Sequence, residues 1–275
     1  MVATPIGNLD DITFRAVRVL KEAALIACED TRQTRKLLNH YGIHTPLVSY
    51  HGHNEEPRAA ALLEKLLQGK SVALVSDAGT PLVSDPGYRL VRRAVESGIR
   101  VEPVPGPSAL LAALTASGLP LDRFFFAGFL PPRTGQRRRA IEELKDLDCV
   151  LVFYEAPHRI LDALADMDEI LGGRPLVLAR ELTKVHEEFL RGTPASLRAV
   201  LASRPAIRGE FTLVAGRRTP GGAADEMPLT GAVEQLVQQG MNRMQAIKTV
   251  ARRKGLSKRE VYKAAARRTL QPENE

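Results

Sequence analysis

Val72-Ala-Leu-Val-Ser-Asp-Ala-Gly-Thr-Pro-Leu-Val-Ser-Asp-Pro-Gly87 decides how this chain folds. A short apolar run with β-branched residues stops at a knot of Gly, Pro, Ser, Thr and Asp, and an apolar-periodic run over 88–96 follows. Val101-Glu-Pro-Val-Pro-Gly-Pro-Ser-Ala109 repeats that grammar. Each reads as a strand whose C-terminal end opens into a tight loop and then a helix. In open α/β sheets, ligands bind at such strand ends.

Towards the amino end, Val2-Ala-Thr-Pro-Ile-Gly-Asn8 reads as the end of a very short strand running into a turn. Thr13 caps a helix carrying Phe14, Val17 and Leu20, and 24–28 returns as a strand. Asp30 or Thr31 caps the next helix, which holds Leu37, Leu38 and Tyr41 and stops at Gly42. A strand over 45–49, a polar loop and a helix from Pro57 to about Gln68 follow. His51 and His53 in that loop lack the further ligands that a zinc site needs. With strands over 71–76 and 101–104 and a Ser108-capped helix over 110–116, the repeating unit predicts a largely parallel sheet covered on both sides.

Towards the carboxyl end, Gly118-Leu-Pro-Leu-Asp122 marks a boundary between an α/β domain over 1–120 and a second over 121–218. The phenylalanines of 124–129 are expected to be mostly core. Arg133, Arg137, Arg138 and Arg139 put four positive charges on a loop and a first helical turn, a pattern suited to phosphate. Strands are expected over 148–153, 176–179 and 209–215, with helices over 160–167 and from Pro194 behind the cap Thr193. A cleft between the two halves is the default ligand site. Residues 219–229 have the composition of a linker, and 230–275 read as a small basic helical module with capping-box spacing at Asn242 and Gln245 and at Ser257 and Glu260.

The chain has 39 Lys and Arg against 32 Asp and Glu, a net charge of +7. That excess favours a polyanionic partner. It is concentrated between Arg243 and Arg268, where Arg252, Arg253, Lys258 and Arg259 are among ten basic residues opposed only by Glu260. Cys28 and Cys149 have no CxxC spacing and read as buried thiols in a reducing compartment. No apolar run is long enough for a membrane span and no leader pattern opens the chain, so the expected location is the cytoplasm. Neither GxGxxG nor GxxxxGK[ST] occurs, and Ser108 lacks a nucleophile-elbow pattern. The compact loops at 5–8, 77–81 and 105–109 instead expose backbone N–H and C=O groups to a small polar ligand.

Val2-Ala-Thr-Pro-Ile-Gly-Asn-Leu-Asp-Asp-Ile-Thr13, Glu29-Asp-Thr-Arg32, Ser76-Asp-Ala-Gly-Thr-Pro-Leu-Val-Ser-Asp-Pro-Gly87, Pro105-Gly-Pro-Ser-Ala109, Tyr154-Glu-Ala-Pro-His-Arg159 and Glu181-Leu-Thr-Lys184 stand in this order. The combination resembles the bacterial ribosomal RNA small subunit methyltransferase I family, in the tetrapyrrole-methylase-like group. The resemblance covers essentially the whole chain. It implies two α/β domains with S-adenosylmethionine folded between them, a homodimer, and methylation of the ribose 2'-oxygen of a cytidine in 16S rRNA, free or within the 30S subunit. It also implies further residues of the first strand before Met1-Val-Ala-Thr. Carried onto this chain, the donor-facing residues are Pro5, Ile6, Gly7, Gly79, Thr80, Pro81, Val83, Ser108, Ala109 and Tyr154.

A sulfonium methyl is already electrophilic, so the protein must align the ribose hydroxyl and accept its proton. Asp30, Glu155, Glu181 and Lys184, all at expected strand ends, are the acid/base candidates; their structural alternative is an ion-pair network holding the loops. No metal is demanded. Arg32 and Arg35 join the other basic residues as candidate RNA contacts, with a solvated helix cap as the alternative. Two other functions remain open at this point: methylation of a small tetrapyrrole-like molecule, and RNA binding without catalysis.

Overall fold

The computed structural model of the chain describes residues 1–52, 54–218, 229–238, 240–254 and 256–266, without the side chains of 252–254 and 266. His53, the expected linker apart from Leu229, and the side chains of Arg252 and Arg253 lie outside the described residues. Met1–Arg217 form one compact unit and Arg218–Glu275 another.

In the first unit, α1 (Phe14–Glu22) starts at Thr13, whose hydroxyl accepts the Ala16 N–H at 3.0 Å. Then come β1 (Leu25–Cys28), α2 (Thr31–His40), β2 (Leu47–Ser49), α3 (Glu55–Leu67), β3 (Val72–Val75) and α4 (Tyr88–Glu96). The strands pair in parallel in the order β2-β1-β3. Because side chains alternate along a strand, Ile26, Cys28, Ala73 and Val75 pack with Ala16, Leu20 and Leu38, while Ala27 and Leu74 pack with Tyr50, Ala59, Leu62 and Leu90. Both faces are covered, as the repeat of strand, loop and helix predicts. The strand expected over 101–104 shrinks to a single bridge between Val104 and Val2. Pro103 and Pro105 have no N–H to extend a ladder.

The second sheet is built from β4 (Phe124–Phe129), β5 (Val150–Glu155), β6 (Leu176–Arg180), β7 (Glu188–Gly192) and β8 (Phe211–Ala215), in the order β4-β5-β8-β6-β7. Only β4 and β5 are parallel. Strand β7 was not expected: Phe189 and Leu190 are its only large apolar residues, and an edge strand needs little more. Leu151, Phe153, Leu176, Leu178 and Leu213 pack under α6 (Thr134–Leu144), α7 (Ile160–Leu171) and α8 (Pro194–Ala202). The opposite face, with Val150, Val152, Val177 and Val214, is covered by Ala113 and Leu114 of α5 (Ala109–Ser117) and by Ile6 and Leu182. Thus α5 precedes the expected boundary at 120 yet packs on the second sheet.

Two expectations are corrected by burial. Phe124, Phe125 and Phe129 are 44%, 44% and 53% exposed, because β4 is an edge strand. Arg137 is buried: its Nε donates to Asp166 at 2.6 Å, so it is not presented to phosphate. Arg138 pairs with the same Asp166 and with Glu169, whereas Arg133 and Arg139 stay exposed.

In the second unit, α9 (Leu229–Gln238), α10 (Arg243–Lys254) and α11 (Lys258–Ala266) surround Val233, Leu236, Ile247, Val250 and Val261. Ser257 and Glu260 make the expected capping box, with Ser257 N–H on Glu260 Oε2 at 2.8 Å and Glu260 N–H on Ser257 Oγ at 3.3 Å. Lys258 and Arg259 are exposed at that helix start. No described helix is long and apolar enough to cross a membrane.

Removing one partner of a buried ion pair strands the other charge. Asp166→Ala is expected to lower unfolding free energy by about 3–5 kcal/mol, read from the denaturant midpoint, whereas Arg139→Ala shifts it by less than about 0.5 kcal/mol.

Candidate active site

Beyond the end of β3 the chain must turn sharply. Gly79 takes φ +81°, and Leu82 and Ser84, at φ 73° and 69°, hold the left-handed conformation without being glycine. Thr4 and Gly79 exchange both backbone hydrogen bonds at 2.9 Å, which docks the opening segment on this loop. Thr80 Oγ1 donates to Pro107 O at 3.3 Å and so joins it to the loop before α5. From the second sheet, Tyr154 Oη accepts the Leu110 N–H at 3.1 Å. Burial pushes its phenol up, partly offset by that hydrogen bond and reinforced by Asp85.

These loops enclose a cavity of about 380 Å³. Of the expected donor-facing residues, Ile6, Gly79, Thr80, Val83, Ser108, Ala109 and Tyr154 line it. Pro5, Gly7 and Pro81 do not; Gly7 lies against Lys184 and Thr183 instead. Glu155 is the one acid/base candidate on the wall. Asp30 accepts the Arg32 N–H at 2.8 Å and pairs with the Arg32 guanidinium, so it caps α2 rather than facing the cavity. Glu181 and Lys184 form the ion pair that was the structural alternative, at 2.8 Å, with Glu210 3.0 Å from the same Nζ. Arg35 is exposed near the start of α2.

Among the described residues, the wall carries Asp77, Asp85, Glu155 and Glu210 but no Lys, Arg or His. Burial, then Asp30, raises the Asp77 carboxyl, against the hydrogen bond from Asp30 N–H. Burial chiefly raises Asp85 as well, with Asp77 adding to it and a Ser76 hydrogen bond opposing it. The Glu155 side chain is fully buried; its Oε1 meets Arg159 Nη2 and the Ala156 N–H, each at 2.7 Å. Its Oε2 is buried with no hydrogen-bond partner. A buried acceptor left unpaired is costly, and the residue that carries it is among those lining the cavity. The site therefore suits a ligand with an apolar body and a positive charge.

Asp77, Asp85, Glu210 and Phe129 belong to this site but were absent from the sequence-derived set. Both aspartates stand inside the stretch quoted at the outset, where their turn chemistry hid their charge. No sequence signal marks Glu210.

A second strained turn supports the cavity from behind. Glu181 and Thr183 have φ 51° and 66°, and a Cβ on Gly7 would overlap Lys184 Cγ and come within 2.8 Å of Thr183 Oγ1. Gly7→Ala is expected to cost about 1–3 kcal/mol in chemical unfolding by displacing this turn. Gly135→Ala, which meets open space at the start of α6, is expected to be neutral or slightly stabilising in the same assay.

Residues 1–198 match the family described as tetrapyrrole (corrin/porphyrin) methylases. A ribosomal RNA small subunit methyltransferase I from Halalkalibacterium halodurans is 51% identical over 268 residues, covering 95% of this chain and 92% of the relative. Proteins of the same name are 53% identical over 225 residues in Pseudomonas aeruginosa (81% and 80% covered) and 45% over 270 residues in Bacillus subtilis (96% and 92%). Among solved structures, diphthine synthase matches with TM-score 0.61 at 16% identity, covering 78% of this chain and 88% of that one. A cobalt precorrin-4 methyltransferase matches with TM-score 0.59 at 17% identity, covering 78% and 92%. These distant structures establish the α/β fold, and the sequence relatives narrow it: the chain belongs to the tetrapyrrole (corrin/porphyrin) methylase family and, within it, to the ribosomal RNA small subunit methyltransferase I group.

Proposed function

We propose that this chain transfers the methyl group of S-adenosylmethionine to the ribose 2'-oxygen of a cytidine in 16S rRNA, as a cytoplasmic homodimer with the donor held between its 1–120 and 121–218 halves. The observation that carries the reading is Glu155, a residue lining the cavity whose buried carboxylate keeps Oε2 without a partner. Support for the RNA substrate comes from relatives at 45–53% identity that are named for small-subunit rRNA, whereas the cobalt precorrin-4 enzyme is 17% identical. An oriented carboxylate on a cavity wall also favours catalysis over RNA binding alone.

The residues present fit the donor. Ile6, Val83, Ala109 and Tyr154 give the cavity apolar surface, and a volume of about 380 Å³ lies in the range for small-molecule sites. Asp77 and Asp85 have no cationic side chain within 4 Å among the described residues and suit a positively charged ligand. When bound, S-adenosylmethionine supplies an electrophilic methyl on a sulfonium sulfur. Glu155 Oε2 takes the proton of the ribose hydroxyl as that oxygen attacks. Arg159 and the Ala156 N–H hold the other oxygen and thereby fix the direction of the free one. Tyr154, tied to Leu110, keeps the apolar wall in place. Lys258, Arg259, Arg133, Arg139 and Arg35 are exposed and able to meet phosphates, which positions RNA without reading its sequence.

Labelled methyl transfer to unmodified 30S subunits, with free 16S rRNA alongside and the product mapped by mass spectrometry, is expected to yield one 2'-O-methylated cytidine. Donor binding without transfer to either RNA would refute the assignment of substrate. Glu155→Gln is expected to lower kcat by about 10²–10⁴-fold while donor affinity, by calorimetry, stays within about threefold. Undiminished turnover would remove Glu155 from the chemistry.

Lys258→Ala with Arg259→Ala is expected to weaken 30S binding and to flatten its dependence on log salt by about 0.7–0.9 per lost phosphate contact, with donor affinity unchanged.

A further inference from the structure

Strand β4 pairs with β5 in simple register from Phe124 opposite Val150 to Phe126 opposite Val152, then slips, so that Gly128 and Phe129 lie opposite Phe153 and Tyr154. Successive side chains on a strand point to opposite faces. An unbroken ladder would place Gly128 on the face of Phe126 and turn Phe129 away. One extra residue between Phe126 and Gly128 reverses the alternation, as β-bulges do beside functional sites. Gly128 absorbs the distortion at φ +69°. As a result Phe126 and Phe129 both meet Tyr154, with ring centroids 4.9 Å and 5.5 Å away.

The two rings then differ in what covers them. Phe126 is packed against the core beneath α5, while Phe129 lines the cavity and remains 53% exposed. Its ring is tilted 59° against Tyr154, which is itself held by the Leu110 N–H. The fold thus re-aims a large aromatic ring at the cavity, anchors one side of it, and leaves the rest uncovered. A planar heterocycle is the ligand that gains most from such a surface, because stacking tolerates any base and needs only a π-face.

We propose that Phe129 is the stacking platform for the base of the nucleotide whose ribose enters the cavity. The proposal rests on RNA being the substrate. Turning a nucleotide out of its RNA costs stacking with its neighbours, and an aromatic face in the site returns part of that loss. Phe129 makes no bond to the reacting atoms; it holds the base so that the ribose hydroxyl stays within reach of Glu155.

Full-length wild-type protein and the variants Phe129→Ala, Phe129→Leu and Phe129→Tyr are compared on unmodified 30S subunits, with S-adenosylmethionine affinity measured separately by calorimetry and oligomeric state by size exclusion. Ala and Leu are expected to lower kcat/KM for 30S subunits by about tenfold or more. Tyr, which keeps the π-face, is expected to retain it within about threefold. Donor affinity is expected to stay within about twofold throughout. Wild-type activity in Phe129→Leu would overturn the proposal, since apolar bulk alone would then suffice. A fall in donor affinity matching the fall in kcat/KM would assign the ring to the donor instead. Loss of activity that tracks a change in oligomeric state would make it a subunit contact. Wild-type protein that binds S-adenosylmethionine but leaves 30S subunits unmodified would defeat the RNA reading itself, and the stacking role with it.

Discussion

The backbone of Val2–Thr4 is buried, and each polar group along it must find a partner away from water. Val2 N–H donates to Leu74 O at 2.9 Å, Ala3 N–H to Val104 O at 3.2 Å, and Thr4 exchanges two bonds with Gly79. This short segment therefore lies between β3 and the 104–107 loop, and its bonds set the spacing of the two loops that line the cavity. Gly106 shows how tight the fit is: a Cβ there would come within 3.1 Å of the Ala3 Cβ. Two residues beyond Thr4, Ile6 joins the apolar cluster beneath the second sheet. The five residues Val2–Ile6 thus tie the first sheet, both glycine-proline loops and the second sheet together. The cavity exists because these constraints are satisfied simultaneously.

Charge is sorted on the same plan. Although the chain's net charge is +7, none of the described residues on the cavity wall is cationic. Some arginines serve inside: Arg137 anchors α6 to α7 through Asp166, and Arg159 orients Glu155 while its Nη1 donates to Leu130 O at 3.2 Å. Others, such as Arg35, Arg133 and Arg139, remain at the surface. An anionic interior and a basic exterior suit a pair of substrates of opposite charge. Long-range attraction gathers the polyanion outside, and the cavity repels phosphate while accepting a small cation. The separation also keeps a phosphate from competing for the donor site.

Local chemistry made much of this legible in the sequence. The α4 helix follows its apolar period over 88–96, and Thr193 caps α8 with a reciprocal bond from Ser196, because capping depends on near neighbours alone. Seven of ten donor-facing residues fall on the cavity because the glycine-proline loops are themselves the wall. What was not legible depends on distant partners. Arg137 looks like its neighbours Arg138 and Arg139 until Asp166, twenty-nine residues away, is folded onto it. Phe129 reads as core until β4 is seen at the sheet edge with a bulge that turns it toward the cavity. Asp30 carries both readings in the sequence, an acid at a strand end and a helix cap, and local bonds settle it as the cap of α2.

The division of labour between Lys184 and Glu155 follows from their surroundings. Burial pulls the Lys184 ammonium down, but Glu181 and Glu210 more than offset this and hold it above its ordinary value. Burial likewise opposes ionisation of Glu181, yet Lys184 and the Glu210 N–H hold that carboxyl below the usual range. By linkage, the Glu181 contribution is present above its unfolded pKa and is lost as pH falls through the depressed folded value. The Lys184 contribution is complete below its unfolded pKa and is lost as pH rises through the raised folded value. Between those limits the pair stays charged and locks a turn whose Glu181 and Thr183 backbones are strained. An ammonium held in that state has no lone pair to accept a proton at neutral pH. Glu155 is among the residues that line the cavity and keeps one carboxylate oxygen without a partner. The ion pair therefore holds a turn packed against Gly7, which is consistent with proposing Glu155 rather than Lys184 as the proton acceptor.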